Sequence, residues 1–463
     1  MDRSASTPVD GTPVPGGIPP SAKRAAVAGF AGTFVEYYDF ALYGVLTVYF
    51  APLFFPADND AVSLLVGLAV FGAGFVARPL GGILFGRIGD RRGRRTALMA
   101  TVILMGACSA CIGLLPTYET LGIVAPLMLA LLRVGQGLSA GAEMLGSVTF
   151  AIESSPPERR GLLSSLTPWG AGLGGSSGAV LAAMLTVLVS SDVMTEYGWR
   201  IPFLIAAPLT LVALFIRRRV EDSPEFLAMV ENREIVASPL RETLTRHWRP
   251  MLIAGGVAIG VNGAAGVAQW FAVYLAGNRD LAVGMVMITY ATSMVIGALW
   301  HPLSGWISDR YGQLRWLAVL LVSFLVASGP IFWLLSSTDN ALLLLAGMTC
   351  YLTLTNLVMA PGFSYIATLF PAPVRYTGST FGQNIGTVLG GGLAPLVCGS
   401  LLMATGSVVG PVIWIVGVSI VGLIAIVVAR VFPRFVGGEP TPGDTAEARE
   451  ALPRGPQPVS DRP

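Results

Sequence analysis

The sequence predicts an all-α integral membrane protein with twelve transmembrane helices in two pseudo-symmetric six-helix bundles. Three observations support this fold class. Of the 463 residues, 53% are hydrophobic and only 12% are charged, so most of the surface must face lipid. The chain contains twelve apolar segments long enough to cross a bilayer. A loop motif in the first half returns in the second half.

The twelve segments are each long enough to form a membrane-spanning helix. About 30 Å of hydrocarbon, at about 1.5 Å of rise per residue, requires about 20 residues. The predicted spans are 24–50, 62–86, 96–115, 122–151, 162–189, 201–217, 251–276, 283–308, 316–336, 341–367, 378–403 and 409–432.

The polar segments define the expected domain limits and orientation. Residues 1–23 and 433–463 are polar and rich in proline, which predicts disordered tails, and 218–250 is the linker between the bundles 24–217 and 251–432. Lys and Arg concentrate in alternate loops, with Arg200 and Arg279 as exceptions. Basic loops stay in the cytoplasm, so both termini are expected there, in a multi-pass plasma membrane protein.

The repeated loop motif is the strongest indication of two related halves. "GRIGDRRGRR" at 86–95 returns as "GWISDRYGQLR" at 305–315, displaced by 219 positions. Pro156 and Arg160 have a second echo in Pro371 and Arg375. A merely basic loop could explain one copy, but two copies in register favour a hairpin that holds the halves together. The expected cytoplasmic gate comprises Arg78, Gly86, Asp90, Arg91, Gly93, Glu143, Glu153, Arg160, Asp309, Arg310 and Arg375.

These motifs resemble the major facilitator superfamily over residues 24–432. Within it, "EYYDFALYG", "RPLGG", "LRVGQGLSAGAE", "GWRIPF" and "LFPAPVRYTG" resemble the metabolite:proton symporter family, whose carriers take shikimate, 2-oxoglutarate, citrate, and proline or betaine. The resemblance implies transport by alternating access. The chain departs from the family pattern at Tyr37, usually Trp, and at Thr368, usually Glu, which weakens the expected second-half ion-pair network.

Charged residues within the predicted spans point to a site. A charge at the bilayer centre costs about 2.5–3.5 kcal/mol, so several in one bundle require partners or a water-filled cavity. Glu36 and Asp39 share one face of the first helix, and Arg133 and Gln136 share one face of the fourth. We expect Glu36, Asp39 and Arg133 to couple proton binding to a substrate carboxylate at Arg133, with Glu36 and Asp39 as equal candidates for the proton. The alternative is a structural salt bridge. Arg78 with Glu143 is expected to form a gate or packing pair.

The predicted spans of the second half contain no charged residue except Arg430 at the end of the last span, so this half is expected to supply hydrogen bonds and shape. Each of its polar residues could instead be a helix-packing group. The substrate-binding candidates are Arg133, Gln136, Asn262, Gln269, Trp270, Tyr274 and Tyr351.

Other functions are disfavoured by what the sequence lacks. Four scattered cysteines and two histidines predict neither a disulfide nor a metal site, and no cofactor is expected. A net charge of +2 does not suggest a nucleic-acid partner. The sequence shows no nucleophile paired with a base, so it does not suggest an enzyme. Without a phosphate-binding loop, ATP is not the expected energy source.

The expected partners are a small-molecule substrate, protons and the bilayer, with the protein as a monomer. A proton-coupled efflux antiporter is the alternative function, and a sensor is disfavoured by the short polar tails.

Overall fold

A computed structural model describes residues 17–57, 59–278 and 283–433, and every regular element within these ranges is helical. The long helices of the first half are α1 to α6. They are Pro20–Phe54, Asp60–Arg92, Arg94–Leu114, Val124–Glu153, Leu166–Leu188 and Arg200–Arg218. The predicted tails lie largely at residues 1–16 and 434–463, outside the described residues.

The second half contains α7 to α12, and two of these helices are interrupted. Helix α8 has two pieces, and α11 passes through a π-helical segment at Thr387–Gly392. The bounds are Trp248–Asn278 (α7), Val283–Ala298 with His301–Tyr311 (α8), Gln313–Ser337 (α9), Ala341–Thr368 (α10), Arg375–Gly386 with Ala394–Thr405 (α11) and Val409–Val431 (α12).

The twelve-helix prediction is confirmed, with small shifts of the limits. Among the described residues, ten helices have the length and apolarity of a membrane span. Helices α1 and α5 are the other two long helices. Charged residues lower the mean hydropathy of α1, and glycines lower that of α5. Helix α1 begins at Pro20, four residues before the predicted limit, because proline fits the first turn of a helix.

Glycines bring the backbones of α2 and α4 into direct contact. A Cβ atom added at Gly137 would meet the backbone of Gly74, and one added at Gly141 would meet the backbone of Arg78. Such close approach is available only to residues without a side chain. The contact fixes the distance between the helix that carries Arg78 and the helix that carries Arg133.

Candidate functional site

Asp39 and Arg133 form a fully buried ion pair between α1 and α4. Arg133 Nη1 lies 3.3 Å from Asp39 Oδ2, and both residues have 0% exposure. Gln136 reinforces the pair, because its Nε2 donates to Asp39 Oδ2 at 2.7 Å and its Oε1 accepts from Arg133. The same Nε2 also donates to Ser109 Oγ at 2.9 Å. The amide of Gln136 is thus engaged at both ends, which makes it a clamp on the ion pair in this structure.

Aromatic rings enclose the guanidinium group of Arg133. Its Cζ lies 4.1 Å from the ring centroid of Tyr43, 5.0 Å from that of Phe71 and 5.2 Å from that of Phe40. Each ring face attracts the cation while excluding water. Arg133 is therefore held by rings as well as by Asp39.

Glu36 and Arg78 form a second, looser pair between α1 and α2. Arg78 Nη2 lies 3.9 Å from Glu36 Oε1, beyond hydrogen-bond distance. Glu36 is 1% exposed and Arg78 7% exposed, yet neither oxygen of Glu36 has a hydrogen-bond partner within 17–57, 59–278 and 283–433. The Arg78 guanidinium lies over the rings of Phe75, at 4.3 Å, and Phe40, at 4.7 Å.

The expectation that Arg78 and Glu143 form a pair is wrong. Glu143 pairs instead with Arg217 of α6. It also accepts hydrogen bonds from Thr101 Oγ1 at 2.6 Å and from Ser147 Oγ at 3.1 Å. Arg217 was missed because it ends the sixth predicted span and is followed by two more arginines, as a basic loop residue would be. The physical reason for the pairing is helix rotation: α2 turns Arg78 toward α1.

Two second-half candidates are tied to helix backbones. The Tyr351 hydroxyl donates to the carbonyl of Ala264 at 2.9 Å, and its side chain is buried. Asn262 Nδ2 donates to the carbonyl of Ala258 at 2.8 Å. These contacts are typical of helix packing.

The aromatic candidates of α7 lie against each other. Trp270 and Tyr274 are half-buried and stack with ring centroids 5.5 Å apart. The side chain of Gln269 lies outside the described residues.

One end of the bundle carries a buried charge cluster, which we call the latch: Asp90, Arg94, Glu153 and Arg375. Arg94 is 0% exposed and forms two hydrogen bonds of 3.0 Å with the Glu153 carboxylate. Its third nitrogen contacts Asp90 Oδ1 at 3.0 Å. Arg375 Nη1, at the start of α11, lies 3.3 Å from Glu153 Oε1. The latch therefore joins the first half to the second.

The two motif aspartates each bind the start of a helix in the opposite half. Asp90 accepts from the backbone N–H groups of Tyr376, at 3.1 Å, and Thr377, at 2.9 Å. Asp309 accepts from the N–H groups of Gly161, at 2.6 Å, and Leu162, at 2.8 Å. A carboxylate at a helix N-terminus satisfies unpaired donors and opposes the helix dipole.

The motif glycines allow the hairpins to turn and the halves to approach. Gly93 and Gly312 have φ values of 105° and 92°, which favour glycine. A Cβ atom added at Gly86 would lie 2.8 Å from the Cα of Thr377, so α2 and α11 touch there.

The arginines of the expected gate are not those of the latch. Arg91 and Arg310 are exposed, and Arg310 lies over the rings of its neighbours Trp306 and Tyr311. The buried position falls to Arg94, which the sequence analysis did not single out. Arg94 begins α3 directly after the turn at Gly93, and this turn brings its side chain back against Asp90 in the last turn of α2.

The second copy of the latch replaces the central ion pair with neutral residues. A displacement of 219 maps Arg94 onto Gln313, and a displacement of 215 maps Glu153 onto Thr368. Gln313 and Thr368 are buried, at 4% and 8% exposure. The departure noted at Thr368 is therefore matched by a change of its expected partner.

The linker takes part in the latch. Ser223 Oγ donates to Glu153 Oε2 at 2.5 Å. Glu225 pairs with Arg375 and lies 3.5 Å from Arg160. Burial raises the pKa of Glu225, while Arg375 opposes the rise.

Asp222 holds the linker against the first motif loop. Its Oδ1 accepts from the backbone N–H of Arg94 at 2.9 Å. Burial raises the pKa of Asp222, against the effect of its N–H donors. The sequence predicted only a linker at 218–250, because its acidic residues resemble those of any solvent-exposed loop.

The fold and its buried ion pairs define a multi-pass membrane transporter built from two related halves. Residues 29–395 match the Major Facilitator Superfamily, and the chain belongs to this family. It is therefore a transporter and not an enzyme.

Several relatives and solved structures cover nearly the whole chain. The "Glycine betaine/proline/ectoine/pipecolic acid transporter OusA" of Dickeya dadantii (strain 3937) is 31% identical over 93% of this chain and 88% of its own. The "Shikimate transporter" of Escherichia coli (strain K12) is 32% identical over 82% of this chain and 88% of its own. The structure of the proton:xylose symporter XylE bound to 6-bromo-6-deoxy-D-glucose shares the fold, with a TM-score of 0.74 at 15% identity over 92% of this chain and 99% of its own.

Proposed function

We propose that the protein imports a small hydrophilic metabolite bearing a carboxylate together with protons. The observation that carries this proposal is the set of buried charges in α1, α2 and α4: Glu36, Asp39, Arg78 and Arg133. Ionisable groups inside a membrane bundle are expensive to bury and serve function by default. Arginines supply a site for a carboxylate, and carboxylates supply a site for a proton.

The names of the relatives support the substrate class. They include glycine betaine, proline and shikimate, which are small polar compounds with a carboxylate. The half-buried Trp270 and Tyr274 are candidate contacts in the second half.

Movement of the two halves, 24–217 and 251–432, gives alternating access in this proposal. The latch lies at the basic loops, so we place it and both termini on the cytoplasmic side of the plasma membrane. A formed latch then closes the cytoplasmic entrance, and its opening releases substrate into the cell.

Uptake into proteoliposomes under defined pH gradients tests this function. We expect at least one of glycine betaine, L-proline and shikimate to accumulate when the outside is acidic, and a proton ionophore to abolish the accumulation. Liposomes without protein are the control for leakage. Uptake that is insensitive to the gradient, or faster when the inside is acidic, would reject symport, and the latter result would indicate antiport.

A further inference from the structure

We propose that Arg78 and Glu36 are the pair that exchanges partners during transport, while Asp39 and Arg133 stay paired. In this proposal Arg78 receives the substrate carboxylate, and Glu36 takes up the coupled proton. The inference rests on the proposed function and assigns its two central roles to particular residues.

The hydrogen bonds of the two acids differ sharply. Asp39 accepts from Arg133 at 3.3 Å and from Gln136 at 2.7 Å through one oxygen. Among the residues that the structure describes, no hydrogen-bond donor reaches either oxygen of Glu36, although it is 1% exposed. An ionised carboxylate without donors costs far more free energy in a low dielectric than a protonated one. Glu36 therefore has the surroundings of a proton acceptor, and Asp39 those of a fixed anion.

The two arginines differ in the same way. Arg133 is 0% exposed, is bound to Asp39 and Gln136, and has rings on its faces. Arg78 is 7% exposed, and its contact with Glu36, at 3.9 Å, is too long for a hydrogen bond. A carboxylate can replace Glu36 at Arg78 without breaking a hydrogen bond of that pair.

The rings against Arg78 orient it without using its donors. Phe75 and Phe40 lie 4.3 and 4.7 Å from its Cζ. A contact between a cation and a ring face does not use the N–H donors at the guanidinium edge. That edge has the geometry for a two-point contact with a carboxylate.

The charges that face Glu36 explain why exchange requires a proton. They are Arg78 on α2, Glu143 on α4, Arg217 on α6 and Asp39 on its own helix. Glu143 is neutralised by Arg217, and Asp39 by Arg133. Arg78 is thus the cation that balances Glu36 in the described part of the chain. When a substrate carboxylate engages Arg78, a proton from the aqueous phase binds to a Glu36 oxygen and restores neutrality.

Infrared spectroscopy of the reconstituted full chain identifies the carboxyl that takes the proton. In a pH titration without substrate, we expect one protonated-carboxyl band that is present in the wild type and in Asp39→Asn and is lost in Glu36→Gln. A band that survives Glu36→Gln and disappears in Asp39→Asn would overturn the assignment. Thermal unfolding of each variant verifies that it is folded.

Binding of glycine betaine tests the role of Arg78, with choline as a probe that lacks the carboxylate. We expect the wild type to prefer glycine betaine, and Arg78→Gln to reduce that preference about tenfold or more, the size of a lost charge-assisted hydrogen bond. An unchanged preference, or equal binding of the two probes by the wild type, overturns the carboxylate assignment. Failure of the proposed function is a separate result, because gradient-independent uptake would leave the infrared band and this preference unaffected.

Discussion

Arg94→Gln is expected to destabilise the protein by about 3–5 kcal/mol, the range for breaking a buried ion pair from one side. The variant leaves Glu153, at 5% exposure, without its two hydrogen bonds from Arg94. It also removes a contact that holds the halves together, so the latch end should open more often. Thermal unfolding in detergent measures the first effect, and accessibility of a cysteine introduced near Glu153 measures the second.

The second copy of the motif supplies the matched rescue. Arg94→Gln combined with Glu153→Thr recreates the buried Gln313 and Thr368 of the other half. The double variant removes the Glu153 carboxylate together with its partner, while Asp90 keeps its two backbone N–H donors. The double variant should therefore be more stable than Arg94→Gln alone. Arg91→Gln is the control, since exposed substitutions in the same loop are expected within about 0.5 kcal/mol of wild type. Equal losses in Arg91→Gln and Arg94→Gln would contradict the latch.

Arg133→Gln is expected to destabilise by a similar amount, about 3–5 kcal/mol. The substitution leaves the Asp39 carboxylate, at 0% exposure, without its arginine, although Gln136 still donates to it. It also removes the cation enclosed by the rings of Tyr43 and Phe71. Thermal unfolding is again the measurement.

Neutralising the partner should recover much of that loss. Asp39→Asn combined with Arg133→Gln leaves two amides that can hydrogen-bond to each other, so the interaction energy of the pair should be large. Arg310→Gln, at an exposed position, is the control. If the double variant is no more stable than Arg133→Gln, the Asp39–Arg133 pair is not the source of the stability.

The sequence predicted the elements of the fold and located its buried acids. Length and apolarity predict helices, and the cost of burying charge singles out Glu36, Asp39 and Arg133 without coordinates. The repeat predicts that Asp90 and Asp309 act in equivalent places, and the structure places each at a helix start in the opposite half.

Partner choice could not be predicted in the same way. Whether Arg78 meets Glu36 or Glu143 depends on helix rotation and on the glycine contacts between α2 and α4. Arg94 and Arg217 were hidden among loop arginines, since burial at a helix end leaves no mark in composition. The change at Gln313 could have been predicted, because the displacement of 219 maps this residue onto Arg94.

The central claim is that substrate and proton binding are one linked event at Glu36. Calorimetric titration of glycine betaine at a series of pH values tests it most directly, with wild type and Glu36→Gln side by side. Linkage predicts that wild-type affinity weakens as pH rises, by up to about tenfold per pH unit, while the affinity of Glu36→Gln stays constant. The same pH dependence in both proteins, or none in either, would contradict the account.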